Sequence, residues 1–112
     1  MSELEVKIQN KICEYLQKKG YFFFRLNNTP VFDQKLNNGY GAYRAQGKWS
    51  APGLADILLV DTEKYGRAVF FEIKSEKGKQ SADQRLFEHR CHTTNAEYYL
   101  VRSIEDIKKA GY

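Results

Sequence analysis

Two apolar runs joined by a short turn constrain this chain more than any other feature. Residues 55–60 (ADILLV) are almost continuously apolar, the pattern of a strand buried on both faces. Residues 67–74 (RAVFFEIK) form a second strand pattern, and 61–66 is the turn between them. A sheet built on such a hairpin needs cover from other layers, and the rest of the chain supplies helical patterns for it. At 112 residues and 13.1 kDa, one domain accommodates everything.

Ser2-Glu3-Leu4-Glu5 has the form of a capping box and opens a helix. Leu4, Ile8, Ile12, Tyr15 and Leu16 recur at helical spacing, opposite a polar stripe of Lys7, Lys11, Glu14 and Lys18, and Gly20 ends the run. Residues 21–26 (YFFFRL) read as a strand. Ser81-Ala82-Asp83-Gln84 is a second capping-box pattern, opening a helix to about Thr94. A strand over 97–102 (EYYLVR) and a short helix over 103–110 complete the order α-β-β-β-α-β-α. Residues 28–53 stand apart: they hold four of the eight glycines and both prolines, so they form either a functional loop or a concealed short hairpin.

Composition excludes some classes. At 42% hydrophobic and 14% aromatic residues the chain is not intrinsically disordered. It contains no run of about 18 apolar residues, so no membrane span is expected. The acidic, polar start does not resemble a leader peptide, and a cytoplasmic domain is expected. Cys13 and Cys91 are too few for a disulfide framework. A net charge of +4 permits an anionic partner without requiring one.

Glu72-Ile73-Lys74 is an acid-x-lysine triplet, a pattern that chance also supplies at Glu5-Val6-Lys7. The hairpin distinguishes the two. On a strand, Phe70, Glu72 and Lys74 share one face, and Phe71 and Ile73 the other. If Val60 pairs with Ala68, antiparallel register sets Asp56 opposite Glu72, with β-carbons about 5 Å apart. Two carboxylates so close repel unless a proton or a cation lies between them. A hard divalent ion such as magnesium fits that arrangement. Lys74 follows about 7 Å along the same face, placed to orient water or to stabilise charge on a phosphate. An ordinary salt-bridge cluster at a hairpin end is the other reading of these three residues.

The succession Gly53-Leu54-Ala55-Asp56, a strand, Glu72-Ile73-Lys74-Ser75, then Ser81-Ala82-Asp83-Gln84 resembles the PD-(D/E)XK nuclease superfamily, and within it the VRR-NUC family. The similarity runs over nearly the whole chain. Ala55 stands where the family has a proline before its catalytic Asp, and the eponymous Val-Arg-Arg reads Val101-Arg102-Ser103. The resemblance implies an α/β restriction-endonuclease-like core, a central mixed sheet flanked by helices. It implies that Asp56, Glu72 and the carbonyl of Ile73 hold magnesium or manganese, with Lys74 beside them. Many members add an acid from the first helix. Glu3, Glu5 and Glu14 are candidates, and Glu5 is chosen because it borders the buried face. Its other reading is a capping role, and Gln9 is an alternative through water. Gln84 is implied as a site-supporting amide, or else as the second half of the Ser81 capping box.

The loop over 28–53 interleaves Phe32, Tyr40, Tyr43 and Trp49 with Lys35, Arg44 and Lys48, a pattern suited to phosphates and exposed bases. Aromatics packed under the domain or against a second subunit are the alternative. Lys77 and Lys79, on a glycine-bearing turn after Lys74, are candidate phosphate contacts, as is Arg102 by the family analogy. His89, Cys91 and His92 do not converge on one helix face, so zinc is rejected. The resemblance implies metal-dependent hydrolysis of a DNA phosphodiester, leaving the 5′-phosphate and 3′-hydroxyl typical of that superfamily. Small stand-alone members of the family are phage-type proteins, and the implied assembly is a homodimer resolving four-way (Holliday) junctions. A flap or end-processing nuclease and a non-catalytic DNA-binding module with the same fold are the alternatives.

Overall fold

The computed structural model describes residues 1–26, 31–44, 49 and 51–112, with the backbone alone described at 31–33, 43 and 44. Helix α1 (Glu3–Lys19) begins at Ser2, whose hydroxyl accepts the Glu5 N–H at 3.1 Å. It ends at Gly20, whose N–H reaches the carbonyls of Leu16 and Gln17. Strands β1 (Phe22–Arg25), β4 (Ile57–Asp61), β5 (Arg67–Ile73) and β6 (Glu97–Val101) form one sheet in the order β1-β4-β5-β6, to which β2 (Val31–Asp33) and β3 (Ala42–Arg44) do not belong. The first two pairings are antiparallel and β5–β6 is parallel, with α2 (Ala82–Thr93) as the crossover and α3 (Ile104–Lys109) following β6. The central sheet is therefore mixed and flanked by helices, as expected.

The hairpin has the register expected of it, with Val60 opposite Ala68. At its tip the Asp61 carboxylate accepts the Glu63 N–H at 3.0 Å, ending β4 in a single 3-10 turn (Thr62–Lys64). Within residues 28–53, β2 (Val31–Asp33) and β3 (Ala42–Arg44) form a separate two-stranded antiparallel sheet. The concealed-hairpin reading of that segment is the one observed.

The two faces of the main sheet are unequal. Ile12 and Leu16 of α1 and Ile107 of α3 pack on Ile57, Leu59, Val69, Phe71, Ile73 and Val101, all at 0–1% exposure. At roughly 1.5–3 kcal/mol per fully buried large aliphatic or aromatic side chain, this face supplies most of the hydrophobic stabilisation. Across the sheet, α2 sets Phe87 and Cys91 against Ala55, Phe70 and Tyr98. That helix lies over β5 and β6, so Leu58 and Val60 of β4 are only half-buried. Beyond them Phe22 and Phe24 on edge strand β1 are exposed. The expectation that residues 55–60 are buried on both faces holds on one face alone. An apolar side chain records hydrophobicity, not which element lies above it. Among the described residues no helix is long and apolar enough to cross a membrane.

Candidate active site

Asp56 immediately precedes β4. Its N–H donates to the Phe71 carbonyl at 3.1 Å and its carbonyl accepts the Leu26 N–H at 2.8 Å. The pairing of Ile57 with Phe71, continued by one residue, sets Asp56 opposite Glu72. One carboxylate oxygen of Asp56, Oδ2, accepts the Ile73 N–H at 2.7 Å, which fixes the side chain across the end of the hairpin.

Glu72 lies on the thinner face of the sheet, in line with Phe70 and beside Leu100 of β6. It is 2% exposed, and among the described residues its Oε1 has no hydrogen-bond partner. A buried acceptor left unpaired costs the fold about 1–3 kcal/mol, so its presence calls for an explanation. Burial first, and then the hydrogen bonding and charge of Asp56, push the Glu72 carboxyl up to about 9. Lys74 pulls it in the opposite direction, and Glu5 adds to the rise.

Glu5 reaches this end of the sheet from the first turn of α1. Ser2 completes its half of the cap through the Glu5 backbone, while the Glu5 carboxylate lies over Gly78. A β-carbon built on Gly78 would stand 3.4 Å from Glu5 Oε1, 3.4 Å from Lys74 Cβ and 3.2 Å from Ser75 Oγ. Asp56, Glu72, Lys74 and Glu5 are thus gathered at one end of β5. Gln9, one turn further along α1, is buried, and Glu3 is exposed.

The remaining candidates are placed differently. Gln84 Oε1 accepts the Ser81 N–H at 2.8 Å while Ser81 Oγ accepts the Gln84 N–H at 3.2 Å, a complete capping box at the start of α2. Lys77 and Lys79 are exposed on the turn after Lys74. The Arg102 guanidinium donates to main-chain carbonyls of that same turn. Arg44 has only its backbone described, in β3, and Lys48 lies outside the described residues. Gln80 was not singled out in the sequence. Its side-chain amide donates to Glu88 Oε1 at 3.0 Å and to the Tyr98 hydroxyl at 3.1 Å, tying the turn to α2 and β6. A glutamine in a charged turn carries no periodic signal by which to find it.

Among the described residues no three His, Cys, Asp or Glu side chains converge as a metal-binding group. A cation here would rest on two carboxylates and a main-chain carbonyl, the set named for Asp56, Glu72 and Ile73. The residues fit a hard divalent ion on two counts: the unpartnered Glu72 oxygen and an adjacent second carboxylate.

The mixed four-stranded sheet with helices on both faces has the α/β layout expected of it, a restriction-endonuclease-like fold. The chain is similar to a solved VRR-NUC domain, with a TM-score of 0.64 over 96% of this chain and 94% of that one, at 19% sequence identity. That likeness establishes the fold. No protein-family model and no curated protein matches the sequence.

Proposed function

We propose that the chain is a magnesium- or manganese-dependent DNA endonuclease with Asp56, Glu72 and Lys74 at its centre. The observation that carries the reading is the buried, unpartnered Glu72 oxygen beside a second carboxylate and a lysine. A salt-bridge cluster at a hairpin end would pair both Glu72 oxygens, whereas Oε1 is left without a partner among the described residues. A divalent cation, when bound, supplies Lewis-acid polarisation of the phosphate and a water acidic enough to attack at neutral pH. Asp56, with one oxygen held by the Ile73 N–H, keeps its orientation without help from substrate. Glu72 presents Oε1 from a desolvated wall, where electrostatic interactions are strong. Lys74 contributes a positive charge toward the scissile phosphate and the charge developing on it. Glu5 borders the same space and is the first-helix acid of the site.

The substrate in this reading is branched DNA, with a four-way junction leading, cut by a homodimer of cytoplasmic location. Lys77 and Lys79, exposed beside the site, suit flanking phosphates. The test incubates purified protein with end-labelled four-way junction, 5′-flap, single-stranded and duplex DNA, each with magnesium, manganese or chelator. Symmetric nicks confined to the junction, abolished by chelator and by Lys74→Ala, are expected. Cutting of flaps or ends instead would keep the chemistry and replace the substrate. DNA binding without metal-dependent cleavage of any substrate would make the chain a non-catalytic module.

A further inference from the structure

A phosphate contact does not account for where the Arg102 guanidinium lies. Nη1 donates to the carbonyl of Ser75, to that of Glu76 at 3.2 Å and to that of Gly78 at 2.9 Å. The backbone N–H of Arg102 donates to Asp106 Oδ2 at 2.9 Å, anchoring the residue to the first turn of α3. The three carbonyls belong to a tight turn closed by the Gly78 N–H on Ser75 O at 3.0 Å. This turn abuts Lys74 and Glu5 through Gly78, where a β-carbon would be in ordinary contact with both and tight only against Ser75 Oγ at 3.2 Å.

We infer that Arg102 is a positioning residue whose guanidinium clamps the turn over 75–78 by its carbonyls, holding Gly78 against the Lys74 stem and the Glu5 carboxylate. All three bonds come from Nη1, whose two protons are shared among three carbonyls; the rigid guanidinium plane fixes where that nitrogen lies, and a lysine ammonium, one bond shorter on a flexible stem, does not reach the same point. Nη1 is committed to these carbonyls, so a phosphate could engage Arg102 only through Nη2 or Nε. The positioning role rests on the nuclease reading only in its effect on turnover; the clamp itself is independent of it.

The experiment uses the full chain with Arg102→Gln and Arg102→Lys. Trypsin cutting after Lys77 and Lys79 reads the opening of the turn and needs no nuclease activity. Both variants are expected to be cut on the order of tenfold faster there, because local opening no longer breaks the clamp. In the cleavage assay both should lose roughly tenfold or more in kcat with KM unchanged. The dependence of DNA affinity on salt should also stay as in the wild type. A phosphate contact predicts the reverse: kcat kept, KM raised, a salt slope shallower by about 0.9 in Arg102→Gln, and rescue by Arg102→Lys. That pattern, or unchanged protection of the turn, would overturn the clamp. If the wild type cleaves no DNA, the nuclease reading fails while the trypsin arm still decides the clamp. Should the variants not fold, NMR of the unaltered chain decides. Clamped guanidinium protons give slowly exchanging signals that inorganic phosphate does not shift, whereas a phosphate-binding arginine responds to it.

Discussion

Desolvation at Glu72 makes a claim that pH can check. Burial and the neighbouring Asp56 push its carboxyl up to about 9 in the folded protein, from an ordinary value of 4.5. Between those values the native state holds a proton that the unfolded chain has released, so the contribution of this group to stability falls as pH rises. In chelator, urea midpoints for the wild type minus those for Glu72→Gln are expected to decline steadily from pH 5 to pH 8.5. Adding manganese should offset the decline, because the cation takes the place of the proton and favours the ionised form. Parallel pH profiles for the two proteins would show that Glu72 is not the group responsible. Glu72→Gln should abolish metal-dependent cleavage in the same preparations. At this scale the sequence was legible where position follows side-chain spacing: the placing of Asp56 opposite Glu72 was readable from strand period and register. Arg102 was not, because its acceptors are main-chain carbonyls, which every residue has and no motif records. Gln84 matched two patterns at once, and the geometry realises the capping box.

Elements are held in place here by a few close approaches. Gly53 (φ +74°) sits under the start of α2, where a β-carbon would stand 2.3 Å from the carbonyl carbon and oxygen of Asp83 and 2.6 Å from Gln84 N. Backbone cannot yield as a flexible side chain does, and the left-handed conformation adds strain. Gly53→Ala is therefore expected to cost about 2–4 kcal/mol, read from urea unfolding, with α2 displaced from β5 and β6. At the opposite end of the sheet the Tyr112 hydroxyl donates to Asp61 Oδ2 at 2.6 Å, joining the end of β4 to the segment after α3. That bond, with the Glu63 N–H and Lys64, holds the Asp61 carboxyl below its usual range despite burial. Its stabilisation is present above the unfolded value of about 3.8 and is lost as pH falls through the lower folded value. Tyr112→Phe is expected to lower stability by about 1–3 kcal/mol at pH 7, with the deficit shrinking in acid. An equal deficit at pH 7 and pH 2.5 would refute the assignment. The hairpin register was legible because continuous and alternating apolar runs meet at a short turn. Strands β2 and β3, three residues each, are too short to show a period. The half-open face of β4 was illegible because it depends on where α2 comes to rest.

The whole molecule is longer than its chain requires. Its radius of gyration is 15.5 Å, against about 13 Å for a compact chain of this length, and its extents are 50 × 30 × 26 Å. The small β2–β3 sheet lies outside the four-stranded sheet, and the edge strand β1 exposes Phe22 and Phe24. Uncovered apolar surface of this kind is compatible with a second copy, and the proposed two-fold junction substrate calls for two sites. Light scattering is expected to give about twice the 13.1 kDa of one chain, with or without junction DNA. Subunit mixing then separates two coupled sites from two independent ones. When wild type and Lys74→Ala are mixed equally and allowed to exchange, random pairing leaves about a quarter of dimers with two intact sites and about half with one. With junction limiting and a single encounter allowed, paired cuts should fall to about a quarter while single nicks appear from the mixed dimers. A monomer that visits each strand in turn would instead lose cutting in proportion to its own concentration and would leave the ratio of paired to single cuts unaffected by the inactive chain. A mass of one chain together with that proportional loss would remove the dimer from the mechanism and leave the Asp56–Glu72–Lys74 chemistry in place.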